Sequence, residues 1–309
     1  MAHAFVSTTE LLQLADGNIS DINVSELLED APLLARLAAI NASNSTSHEW
    51  LKKTAAPATG FRAINDGLEN TKATYTKVTQ ALKLFDAGFD LDIGLLMAGS
   101  GDALARREAI DHLQAAFAEM EQQIIYGTGN LAAGFAGFAN EASTAAFDDS
   151  MVINAGGTTA NTGSSVWMLR TGEPAVSVVY GAGGRIEVGE SYKALRDGST
   201  TGQYDVQRTP IVFYGGVQVA TSLDLARIIN LTADSGKGLT DDRLSDALAL
   251  FPAGRQPNLI GMNRRSLTQL QQSRTATNAT GAPAPRPTEY EGIPIVVTDQ
   301  ITSVEAISS

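Results

Sequence analysis

Cysteine is absent from the 309 residues. Disulfides, thiolate metal sites and thiol nucleophiles are therefore excluded, and a reducing compartment is compatible. Histidine is scarce: His3, His48 and His112 lie in three separate segments. Basic charge is short as well. The 22 Lys and Arg stand against 34 Asp and Glu, for a net charge of −12. A nucleic-acid-binding surface needs a basic face, so that class is disfavoured, as is adhesion to acidic membranes. No apolar run approaches the ~20 residues of a membrane-spanning helix. The start, "MAHAFVSTTELLQLADG", has no basic segment followed by an apolar one, so no secretory signal is expected. Aromatics make up only 6%, which leaves a core built on Ala, Leu, Ile and Val.

What is present falls into segments of different character. Residues 1–47 are acidic, with Glu10, Asp16, Asp21, Glu26, Glu29 and Asp30 against Arg36. Within them "SELLEDAPLLARLAAI" (25–40) predicts one or two short amphipathic helices broken at Pro32. By length alone this is a frayed terminus, but its leucines predict docking. Residues 48–85 reverse the charge: Lys52, Lys53, Arg62, Lys72, Lys77 and Lys83 outnumber Glu49, Asp66 and Glu69. The alternation of "TKATYTKVTQALKLF" predicts a strand, and "HEWLKKT" (48–54) a partner for it. Neither face of this hairpin carries a real apolar set, and such a pair is marginal alone in water. Its three large tip residues, Phe61, Ile64 and Leu68, do not follow the strand alternation.

Asp102–Tyr126 is the strongest helix, with Asp102 as cap and Gly127 past the end. Ile110, Leu113, Phe117, Met120 and Ile124 line one face and are expected in the core. From 150 onward strands predominate: "SSVWMLR" (164–170), "AVSVVYG" (175–181), "TPIVFYGGVQVATSL" (209–223), "PNLIGMN" (257–263) and "GIPIVVTDQI" (292–301). Helices are expected at 240–251, capped by Thr240, and at 264–274. The polar stretch 275–289 predicts no regular structure.

No motif for chemistry emerges. "GAGGRIEVG" (181–189) and "NAGG" (154–157) have strands on both sides, whereas a dinucleotide fingerprint needs strand, turn and helix. "DSGKGL" (234–239) lacks the phosphate-loop spacing, and no G-x-S-x-G elbow exists. Glu108 and His112 are one helical turn apart but lack a third ligand. Asp148–Asp149 and Asp241–Asp242 are adjacent in sequence, and the second pair suits a helix N-terminus. No catalytic, cofactor-binding or metal-binding residue is assigned.

The order of parts is itself distinctive: acidic arm, basic hairpin, long helix, β-rich segment, then helix–strand–helix and a closing strand. With "SSVWMLRTGEPAVSVVYGAGG" (164–184), "VFYGGVQVATSLDLARIINL" (212–231), "NLIGMNRRSLTQLQQ" (258–272) and "YEGIPIVVTDQI" (290–301), it resembles the tailed-phage major capsid proteins of the HK97 fold, and among them the epsilon15-type family. The resemblance implies an α+β fold with an N-terminal arm (1–47), an extended hairpin or E-loop (48–90), a P-domain-like part (91–228) containing the spine helix 102–126, and an A-domain-like part (229–309). It implies a structural protein, not an enzyme, that assembles in the bacterial host cytoplasm. Many copies, as hexamers and pentamers, would form an icosahedral virion shell around double-stranded DNA held without sequence-specific contacts. No cofactor and no membrane are involved. Other partners implied are a portal and a scaffold or decoration protein. It places Lys52, Lys53, Phe61, Arg62, Ile64, Leu68, Lys72 and Lys77 at a subunit interface, where the E-loop lies over a neighbour and its cations meet acidic residues. No acceptor Asn or catalytic acid can be matched to Lys52, Lys53 or Lys72, so no covalent crosslink is expected. Two alternatives remain at this stage: an encapsulin-like shell around cargo enzymes, and an α+β enzyme with an unrecognised carboxylate pair.

Overall fold

The computed structural model describes residues 13–14, 28–68, 71–97, 101–141, 149–181, 184–198, 202–276 and 282–308. In chain order it contains β1 (Gln13–Leu14), a 3-10 turn at Leu34–Arg36, β2 (Ala38–Asn41), β3 (Ser47–Ala55), β4 (Thr74–Ala81), β5 (Lys83–Asp86) and β6 (Phe89–Asp92). A helical turn (Ile93–Leu96) precedes the long helix Gly101–Tyr126. Then come β7 (Val152–Asn154), β8 (Val166–Leu169), β9 (Val176–Tyr180), β10 (Arg185–Val188), β11 (Tyr192–Asp197), β12 (Gln203–Thr209), β13 (Ile211–Val219) and β14 (Leu225–Ile229). The helix Asp241–Ala249, β15 (Leu259–Met262), the helix Arg264–Ala276, β16 (Glu289–Tyr290) and β17 (Ile293–Val297) complete it.

Two six-stranded sheets organise these elements. The first runs β1-β10-β13-β9-β2, with β5 also paired to β13. The second runs β16-β17-β15-β8-β14-β7. The long helix packs on the first: Leu113, Phe117, Met120 and Ile124 are fully buried, and Ile110 is half-buried at the cluster's margin. The Phe117 ring lies 6.1 Å from that of Phe213 on β13. Gly215 makes this approach possible, because a Cβ there would stand 2.5 Å from the Met120 methyl.

The second sheet is covered on both faces. All of β8 is buried, and its alternation divides it: Trp167 and Leu169 join the long-helix core, while Val166 and Met168 join a second core. That second core is closed by Leu244 and Phe251 after Thr240, and by Leu267 and Leu270 of the last helix. Thr240 caps the first of these helices, accepting from the Arg243 amide. Asp241, in its first turn, is gripped by the Arg274 guanidinium through both oxygens.

The observed elements differ from the expected ones at several places. Residues 28–41 are not amphipathic helices. They make a 3-10 turn and then β2, which runs parallel to β9 with Ala38 opposite Ser177. Leu28, Leu33, Leu34 and Leu37 are all buried, so tertiary packing overrides a helical propensity that Pro32 already interrupts. The acidic residues before Leu28 lie outside the described residues. The long helix starts at Gly101, and the capping role expected of Asp102 falls on a side chain outside the described ones. The hairpin ends at Ala81, since β5 belongs to the first sheet. The division expected between 228 and 229 falls inside β14, and the second sheet takes β7, β8 and β14 from one side and β15 to β17 from the other. A second hairpin, β11–β12, extends over 192–209 where no strand had been expected before residue 209. Of the stretch 275–289, residues 282–288 have no regular structure and 277–281 lie outside the described residues.

Candidate assembly interface

The hairpin β3–β4 is a two-stranded sheet of its own. Trp50 pairs with Val78, Lys52 with Thr76 and Lys53 with Tyr75, with a bulge between Lys53 and Ala55. Period-two alternation puts Leu51, Lys53, Tyr75 and Lys77 on one face. Leu51 and Tyr75 are exposed there. Between the strands the tip carries Phe61 and Ile64, both fully exposed, and Leu68, which is partly so. Lys53, Arg62 and Lys72 are exposed as well, while Lys52 is half-buried. Among the described residues, these exposed apolar side chains stand on a two-stranded hairpin that belongs to neither six-stranded sheet.

The root of this arm is polar and specific. The Ser43 amide donates to His48 Nδ1 at 3.2 Å, so the ring's proton sits on Nε2 and points at Gln218 Oε1, 2.5 Å away on β13. The imidazole stacks on Trp50, with centroids 5.7 Å apart. His48 and Gln218 are both buried. Lys77 finds its carboxylate within the same hairpin: Glu49 lies 2.6 Å away, and the hydrogen bond from Lys77 holds the Glu49 carboxyl below the usual carboxylate range. Of the expected interface cations, Lys77 is therefore already matched by its own chain.

A groove opens beside this root. It measures about 480 Å³ and lies between β5, Gly215 and the loop 131–135, over the Met120 side chain. Sequence reasoning missed it, because its walls come from β5, the long helix, the loop 131–135 and Gly215 of β13, which only the fold brings together. It also missed Glu121. This carboxyl, on the long helix, is fully buried. It accepts from the Leu34 amide at 2.8 Å and from the Thr298 hydroxyl just past β17. Burial pushes it up to about 7, against the pull of the Thr298 hydroxyl and the amides of Leu34 and Leu33. One side chain therefore joins the segment before β2, the long helix and the end of the second sheet's β17.

The second hairpin missed by sequence reasoning exposes Tyr192, Leu195 and Tyr204. Its Arg196 bonds to Asp90 on β6, and that bond holds Asp90 below its ordinary range. The signal was there: "SYKALRDGSTTGQYDVQRT" alternates on both sides of an Asp-Gly turn.

Glu108 and His112 lie 3.9 Å apart, and among the described residues no three ligating side chains gather. No helix among the described residues is long and apolar enough to cross a membrane. The largely buried ion pair of the second sheet is occupied structurally: Glu305 accepts from Arg227 at 3.1 Å, from Tyr126 at 2.7 Å and from Ser165 at 2.5 Å, tying the last residues to the sheet.

Comparison with known proteins bears on this arrangement. The family model described as "Major capsid protein GP7" matches residues 15–308. Among curated proteins no sequence matches. In structure the chain is similar to a subunit of bacteriophage Epsilon15, with a TM-score of 0.67 and 19% identity, covering 89% of this chain and 88% of that one. A subunit of the bacteriophage JBD30 procapsid gives 0.46 at 14% identity, covering 92% and 95%. One from a Synechococcus elongatus encapsulin complex gives 0.45 at 9%, covering 67% and 90%. The first likeness shows an HK97-like α+β fold, and the two weaker ones do not discriminate a phage head from an encapsulin.

Proposed function

The chain belongs to the GP7 major capsid protein family, and from that premise we propose that many copies close into an icosahedral shell around double-stranded DNA. The observation that carries the assembly reading is the arm: β3–β4 projects Leu51, Phe61, Ile64 and Tyr75 into solvent while its root is pinned by His48 and Gln218. A monomer gains nothing from such an element. A lattice does, because each buried apolar side chain is worth ~1.5–3 kcal/mol and the contact recurs at every copy. In this reading residues 47–81 are the E-loop, laid over the next subunit of a hexamer or pentamer. The long helix is the spine of a P domain, and the second sheet with its two helices forms the A domain. The second sheet's strands on both sides of residue 228 support an A domain that includes β7, β8 and β14.

A net charge of −12 per subunit suits a container for DNA. Counterion release favours DNA binding in proportion to the cations presented, and an acidic wall releases its cargo. The protein acts as a building block of the virion, without a catalytic role, and is assembled in the host cytoplasm beside a portal and a scaffold or decoration protein. Electron microscopy of the expressed protein tests this reading, followed by nuclease treatment and absorbance of particles from infected cells. Shells tens of nanometres across containing nuclease-protected DNA are expected. Shells filled with a cargo enzyme would establish the encapsulin alternative, and a discrete monomer would overturn both.

A further inference from the structure

We propose that the groove between β5, β13 and the loop 131–135 is the seat for the hairpin tip of a neighbouring copy, with Phe61 and Ile64 entering it. This rests on the capsid reading above and adds the place of contact.

The groove is lined by Met120, Phe85 and Phe135, and Gly215, where a Cβ would stand 2.5 Å from the Met120 methyl, lets that side chain lie against β13. Leu84 and Leu131 flank it at 55% and 47% exposure. An apolar concavity of about 480 Å³ with two half-exposed leucines at its lip is unusual on a surface that meets only water. The tip offers a Phe and an Ile that are both fully exposed among the described residues. Arg62, between them in sequence, can approach Asp86 on the groove's rim.

The occupant is a second copy for a geometric reason. Lys83, two residues past the hairpin, lines the groove, so the groove sits at the hairpin's root. The nine residues of β3 carry the tip roughly 30 Å from that root. A chain could fill its own groove only by breaking its own β3–β4 ladder. A neighbour of the same sequence brings a tip with no such loss.

The absence of cysteine makes the test clean. In Ile64→Cys with Leu131→Cys, the two introduced thiols are the only ones. Oxidised particles should give covalent dimers and higher multimers on a non-reducing denaturing gel, lost on reduction and absent from each single variant. Particles that assemble but run as monomers after oxidation would overturn the seat and leave the capsid reading standing. Failure of the unsubstituted protein to assemble at all would overturn the reading itself. A second arm covers the case where the thiol pair does not assemble. Phe61→Glu and Leu131→Lys should each raise the critical concentration for assembly about tenfold or more, with unchanged subunit melting. Combining them should recover most of the loss. Losses that simply add would overturn the contact.

Discussion

The Leu34 amide donates a 2.8 Å hydrogen bond to Glu121 Oε2, a carboxylate with no exposure to solvent. The two residues are 87 positions apart. With the Thr298 hydroxyl on the other oxygen, this bond makes the buried leucines before β2, the long helix and the end of β17 into one body from which the hairpin projects.

The first prediction is a pH dependence with a definite sign. Glu121 is raised in the folded chain from 4.5 to about 7, so the folded state holds the proton more tightly than the unfolded one. Its contribution is fully present below pH 4.5 and is lost as pH rises towards and through 7. The full span corresponds to about 3 kcal/mol. Glu121→Gln carries no such charge. Its stability relative to the parent should therefore improve by up to that amount between pH 4.5 and pH 8, measured by urea unfolding of the dissociated subunit. A constant difference across that range would show that Glu121 is not the titrating group.

Removing the ring of Phe117 should cost about 3–5 kcal/mol, because the side chain is fully buried between the long helix and Phe213. Thermal melting of the subunit measures it, with reduced soluble yield as the accompanying sign. An unchanged melting temperature would contradict the packing described.

Glu305→Ala should destabilise by up to about 3–5 kcal/mol, more than any exposed charge removal, since it leaves the largely buried Arg227 without its carboxylate. Tyr126 and Ser165 lose their acceptor in the same step. Glu305→Gln keeps an acceptor and should recover part of the loss. Equal melting of the two variants would mean that the tail is held by its backbone alone.

The parts legible in the sequence are those whose packing is periodic. The helix expected at Asp102–Tyr126 appears as Gly101–Tyr126, and "SSVWMLR" contains β8. The thin apolar content of 48–81 was legible too, as a strand pair without a core. What was not legible depends on distant partners. Residues 38–41 become a strand only because β9 offers them an edge. Glu121 sits on a helix turn like any surface glutamate, and nothing local marks the two distant donors that hold it. The groove exists only once Gly215 and Met120 meet. The charge reversal of the hairpin was visible, but the match of Lys77 to Glu49 follows from strand register, which composition does not encode.

The most direct test of the central claim, that the hairpin belongs to the lattice and not to the subunit's own core, is sedimentation velocity of a chain with residues 56–73 excised. Ala55 and Thr74 already face each other across the ladder, so a short turn can join them. The account predicts a soluble subunit with unchanged circular dichroism that sediments as a small species and forms no closed shells. Sedimentation of the excised chain as complete shells, or its loss to an unfolded aggregate, would contradict the account.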